Sequence, residues 1–88
     1  MYKRQEEALG MIRKAVKISP QSGYIIDSLA WGLYQLGRYS EAIEPMERAI
    51  ELEPEDPIVN DHLGDVLWKV GRKRVAYFQW KKTLLFYE

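Results

Sequence analysis

Apolar residues recur at helical spacing along most of this chain, and short runs containing glycine, proline or acids interrupt them. The stretch "DSLAWGLYQLGRYSEA" at residues 27–42 shows the pattern most clearly. Ile26, Leu29, Ala30 and Leu33 share one helical face, as the i, i+3, i+4, i+7 rule requires of a buried stripe. Tyr24, Asp27, Ser28, Trp31, Tyr34 and Gln35 share another, which mixes large aromatics with polar groups. A surface helix ordinarily pairs its apolar stripe with a charged face. This one is expected to bury one side and offer the other to something else.

The pattern repeats. Ala8, Ala42 and Ala76 are spaced by 34 residues, and so are Ile12, Met46 and Trp80. Ala15, Ala49 and Thr83 keep the same step, as do the pairs Leu29/Leu63, Leu33/Leu67, Gly37/Gly71 and Pro20/Pro54. The complete unit, residues 23–56, reads as a helix pair. Its first helix (helix A) spans about Tyr24–Leu36 and stops at Gly37, a residue suited to the left-handed turn after a helix. Ser40 is the expected N-cap of helix B, which runs to about Leu52 without breaking at Pro45. Pro57 suits the first turn of the next helix. The last unit, residues 57–88, repeats the plan with Gly71 at its turn. Residues 1–22 hold only a helix B, Lys3–Ile18, with no helix A before it. The chain is therefore expected to be one all-α domain of about five helices.

A period of 34 with small residues at fixed places resembles the tetratricopeptide repeat (TPR), a helix–turn–helix unit of that length. The match rests on Ile26, Leu29, Ala30, Leu33, Ala42, Met46 and Pro54, and in the last unit on Asn60, Leu63, Gly64, Leu67, Ala76 and Trp80. Asn60 stands where an aromatic is usual, and Trp80 where Phe or Tyr is usual. The resemblance implies a right-handed α-solenoid of antiparallel helix pairs whose helix A faces line a concave groove. Tyr24, Asp27, Ser28, Trp31, Tyr34 and Gln35 would line it in one unit. Ile58, Asp61, His62, Asp65 and Trp68 would line it in the next. Its implied role is non-catalytic binding of a peptide segment, as a scaffold or adaptor, with a structural spacer or self-association module as the alternative. Aspartates beside aromatics favour a segment carrying Lys or Arg next to apolar residues.

Composition and charge narrow the classes. Net charge is zero, with 13 basic and 13 acidic residues, and no strongly basic balance points to nucleic acid. No cysteine is present, which excludes disulfides and thiolate metal sites. The longest apolar run, Leu84–Tyr87, is far too short to span a bilayer, so direct membrane insertion is not expected. His62, the one histidine, has Asp61 and Asp65 within a helical turn. Stacked helices supply no oxyanion site, and three groups on one helix make a poor metal site, so neither catalysis nor a metal or other cofactor is expected. Arg72–Arg74 maps to the turn between helices, and a solvated turn explains it better than a stacking surface for single strands.

Charge is uneven along the chain. Residues 23–56 carry two bases and eight acids, and each flanking segment has three more bases than acids. Uncovered faces at both ends, with Leu9, Ile12 and Val16 at one and Leu84–Tyr87 at the other, suggest a homodimer through an open end. "DSLAWGLYQLGR" and "DHLGDVLWKVGR" resemble the terminal repeats of bacterial TPR proteins, some of them exported envelope adaptors. "MYKRQ" resembles a leader added to gene fragments, so the native N-terminus is expected upstream. Cytoplasm and bacterial periplasm both remain open.

Overall fold

The turn chemistry of the sequence divides the chain into helices α1 (Tyr2–Ile18), α2 (Gly23–Gln35), α3 (Tyr39–Leu52), α4 (Pro57–Lys69) and α5 (Lys73–Phe86) in a computed structural model that describes residues 2–87. There is no strand among them. Helices α2 and α3 form one antiparallel pair and α4 and α5 the next, while α1 stacks on α2 as an unpaired helix B.

Both hairpins turn the same way for the same reason. Gly37 has φ 78° and Gly71 φ 90°, the left-handed conformation that costs glycine nothing. Behind each, the next amide folds back to close the helix: Arg38 N–H bonds the Leu33 carbonyl and Arg72 N–H the Leu67 carbonyl, each at 2.9 Å. The helix A starts are capped by side chains. The Ser22 hydroxyl accepts from Ile25 N–H at 3.4 Å, and Asp56 Oδ1 accepts from Val59 N–H at 3.0 Å, ahead of Pro57 at the first helical position.

The helix B starts differ from expectation. Ser40 does not cap α3, because the helix already begins at Tyr39 and the cap residue is Arg38, which makes no capping side-chain bond. The Arg38 side chain is engaged in an ion pair instead. Arg38 grips Glu41 through two bonds of 2.7 and 2.8 Å and reaches back to Glu6 of α1 at 3.2 Å, which draws the Glu41 carboxyl below its ordinary range. Helix α3 runs through Pro45 unbroken.

The core forms where small residues let the paired helices close. Ala30, Ala42, Met46 and Ala76 are fully buried, surrounded by Leu29, Leu33, Leu63 and Leu67. Gly64 is buried against the Trp80 indole, so Trp80 packs on the core but is itself only half-buried. A second cluster, Ile26, Ala49 and Val59, joins the two pairs. Within the second pair lies a polar knot. Asn60, where an aromatic would be usual, donates to the carbonyls of Pro54 (3.1 Å) and Asp56 (2.7 Å) and accepts from the buried Gln79 amide. Every buried polar side chain among the described residues has a partner, so this knot carries no desolvation penalty from unmade bonds.

Candidate functional site

Part of the aromatic and polar face of α2 assembles with His62 of α4 across the two helices. His62 of α4 reaches Asp27 of α2, with Nδ1 3.1 Å from each carboxylate oxygen. A carboxylate only accepts, which fixes the proton on Nδ1. The imidazole stacks on Trp31 at 3.8 Å between centroids and 13° between planes. Trp31 in turn stacks on Tyr34 at 4.5 Å and 7°, and Tyr39 meets Tyr34 edge-on at 5.2 Å. The result is one column, Asp27–His62–Trp31–Tyr34–Tyr39, that ties α2, α3 and α4 together. Offset and edge-on contacts of this kind add about 0.5–1.5 kcal/mol each beyond buried area.

This column alters the roles expected of its members. Asp27 is buried and engaged by His62, so its charge is not free to meet a ligand. Both faces of Trp31 are covered, which leaves its edge for any contact. His62 is half-buried between the helices, with its ring stacked on Trp31 and its Nδ1 on Asp27.

A cleft of about 280 Å³ opens beside the column. Asp27, Ser28, Trp31, Gln35 and His62 line one wall, and Gln5, Ala8, Leu9 and Ile12 of α1 line the other. Other expected groove residues lie elsewhere. Tyr24 sits at the turn between pairs and donates to Asp56 Oδ2 at 3.1 Å, which raises its own pKa. Ile58 is exposed. Asp61 lies against α5 beside Tyr77 and Trp80. Trp68 packs on Trp80 at 5.5 Å beneath the Lys73 ammonium. The α1 wall was not among the expected site residues, although its equivalence to Ala42 and Met46 was visible in the repeat.

That equivalence explains the cleft. In the two pairs, helix A covers the positions 42, 46 and 49 of α3 and 76, 80 and 83 of α5. Ala42, Met46, Ala49 and Ala76 are at 0% exposure. Their counterparts on α1 are open: Ala8 is exposed and Ile12 and Ala15 are half-buried. The cleft is therefore the place where a helix A would lie on α1, and no described residue occupies it.

Asp65 has a separate environment. Its Oδ1 accepts from Trp80 Nε1 at 3.2 Å. Burial, with Asp61 nearby, raises its pKa above the ordinary 3.8, against smaller opposing effects of the Trp80 bond and His62. A raised folded-state value means that folding favours the protonated acid. Stability from this group is complete below the ordinary value and is lost as pH rises through the folded one. Asp65→Asn keeps an acceptor for Trp80 and removes the charge. It is expected to raise the unfolding free energy at neutral pH, by less than about 1 kcal/mol because the site is partly solvated, and to leave the acid-side stability little changed. Thermal melts of both proteins between acid and neutral pH check this.

Residues 33–71 match the TPR repeat. No curated protein matches the sequence. Among solved structures, MamA MSR-1 superposes with a TM-score of 0.84 at 22% identity, over 97% of this chain and 49% of that one. MamA AMB-1 gives 0.85 at 24%, over 97% of this chain and 50% of that one. The chain spans about half the length of these structures. MamA is a TPR protein, so the likeness is one of fold. Residues 33–71 carry a TPR repeat, and the chain as a whole is an all-α solenoid of TPR-like helix pairs.

Proposed function

We propose that this chain is a non-catalytic protein-binding module whose cleft between α1 and α2 takes up a helical segment, supplied by a partner or by the same protein ahead of residue 1. TPR repeats support the general role of a protein-interaction scaffold. The observation that carries the specific reading is the open set Ala8, Ile12 and Ala15, whose counterparts in the two complete pairs are covered by a helix. The incoming helix would present a small residue to Ile12, as Ala30 does to the α3 core, with leucines at its side. Asp61 and Asp65 lie outside the cleft, on the α5 side of α4, and act on the segment only as a longer-range negative field that favours lysine or arginine at its polar positions.

The probe is at hand in the chain itself. A peptide of residues 22–36, flanked by lysines, carries the helix A face that such a cleft accepts. Calorimetric titration into the 88-residue protein should give a dissociation constant between about 1 μM and about 1 mM, weakened by the ordering of the free peptide. Ala8→Arg should abolish the heat. A peptide ending in an acidic C-terminal tail should give none, since it would meet carboxylates. No binding of the lysine-flanked peptide at about 1 mM, or equal binding by Ala8→Arg, would show the reading to be wrong.

Self-association through the same open end is the second reading. Met11 at 71% exposure adjoins Ala8 and Ile12 on α1, so a second copy could bury this face. Sedimentation over a concentration series separates the two: the module stays monomeric until peptide is added, and the self-associating chain does not.

A further inference from the structure

Helix α5 differs from the other two B helices on the side turned away from its paired helix A, which in α3 stays largely in solvent at the edge of a cleft shared with α1. In α3 the outward positions are Glu41, Glu44, Arg48 and Glu51, with the three acids exposed although α1 and α2 precede this helix and α4 follows it. In α1 the same positions hold Glu7, Gly10, Lys14 and Lys17, all exposed. In α5 they are Val75, Phe78, Lys82 and Leu85. Phe78 and Leu85 each lie two residues beyond the buried Ala76 and Thr83, about 200° around the helix, so they point away from α4. Exposure is 53% for Val75, 57% for Phe78 and 72% for Leu85.

Since the equivalent face of α3 stays in solvent inside the stack, a further repeat after α5 would leave these three side chains uncovered. Tyr77 and Leu84 are a different case, because their counterparts Ile43 and Ile50 pack on the core. The outward apolar patch therefore calls for an occupant of another kind.

Charge identifies it. Residues 71–87 contain Arg72, Lys73, Arg74, Lys81 and Lys82 and no acid. Arg74 and Lys81 flank the patch and Lys82 lies within it. A two-fold contact between copies would set these bases against one another. Docking on the Glu41–Glu51 face of another copy would satisfy charge but give the apolar side chains no apolar cover. Single-stranded nucleic acid would find one outward ring, Phe78, beside two aliphatics that stack on nothing. A surface with negative charge outside and hydrocarbon beneath fits both features. Lysine and arginine meet the lipid headgroups while Val75, Phe78 and Leu85 enter the boundary layer. We propose that the outward face of α5 is a docking surface for anionic lipid bilayers, with the helix lying on the membrane. None of the helices is long and apolar enough to cross one among the described residues.

The test is co-sedimentation of the 88-residue protein with vesicles of phosphatidylcholine alone or with about 30% phosphatidylserine. Binding to the anionic vesicles should be at least about tenfold tighter and should weaken as salt is raised. Phe78→Glu with Leu85→Glu installs the residue types that α3 carries at these positions, so the thermal melt should hold while vesicle binding falls at least about tenfold. Phe78→Gln with Leu85→Gln should also weaken it, which separates lost apolar contact from added negative charge. Equal binding to neutral vesicles overturns the proposal, as does binding that neither pair of substitutions weakens. So does a protein that ignores vesicles, whether it then binds a single-stranded oligonucleotide through this face or forms a dimer that the glutamates split.

Discussion

Met46→Ala should lower the unfolding free energy by about 2–5 kcal/mol, the usual range for deleting a long apolar side chain from a packed core. Met46 is fully buried and sits midway along α3, where it fills the space that Ala30 leaves on α2. Small residues on both helices bring the backbones close, and Met46 alone supplies bulk at that level. The surrounding leucines belong to helices fixed by their own turns at Gly37 and Gly71, so collapse into the void is restricted. Urea denaturation of the two proteins measures the difference. A loss under about 1 kcal/mol would mean that the α2–α3 interface is not packed as described.

Gly64→Ala is the second large effect, and its sign runs against helix propensity. Alanine in a helix is ordinarily better than glycine by about 1 kcal/mol. Here a β-carbon on residue 64 would run into the Trp80 ring, well inside contact distance. The indole cannot simply swing aside, because Trp68 packs against it and its Nε1 is bonded to Asp65. Overpacking of this kind costs about 1–3 kcal/mol, enough to outweigh the propensity gain. Replacing Trp80 by leucine in the same chain should relieve the clash, so the double variant should be more stable than the two single losses summed. Denaturant melts of the four proteins in this cycle give the coupling, and strict additivity would argue against the contact.

The sequence carried the fold because its signals are local and repeated. Glycines 37 and 71 set the turns, prolines 54 and 57 separate the pairs, and the 34-residue step aligns Ala42 with Ala76 and Leu29 with Leu63. Each is readable within one helical turn or by one shift of register. The contacts that were not legible join residues whose partner is chosen by three-dimensional geometry. Asp27 and His62 are 35 apart, one residue off the repeat, so no register comparison pairs them. Asn60 departs from the usual aromatic, but only the fold reveals that Gln79 compensates it. The Ser40 assignment missed because Arg38 closes the hairpin and starts the next helix two residues earlier than a serine cap would. The α1 wall was within reach. Ala8 and Ile12 repeat the register of Ala42 and Met46, and the missing helix A was already legible, but that uncovered face was read as a dimer contact and not as one wall of a cleft shared with α2.

Amide hydrogen exchange on α1, with and without the lysine-flanked peptide of residues 22–36, tests most directly whether this helix is half of an unfilled pair. In the free protein, α1 should exchange faster than α2, α3 and α4, since it packs on one neighbour only. Saturating peptide should slow exchange in α1 selectively, with Ala8 and Ile12 among the amides most protected. Protection of α1 equal to that of α3 in the free protein, unchanged by the peptide, would contradict the account.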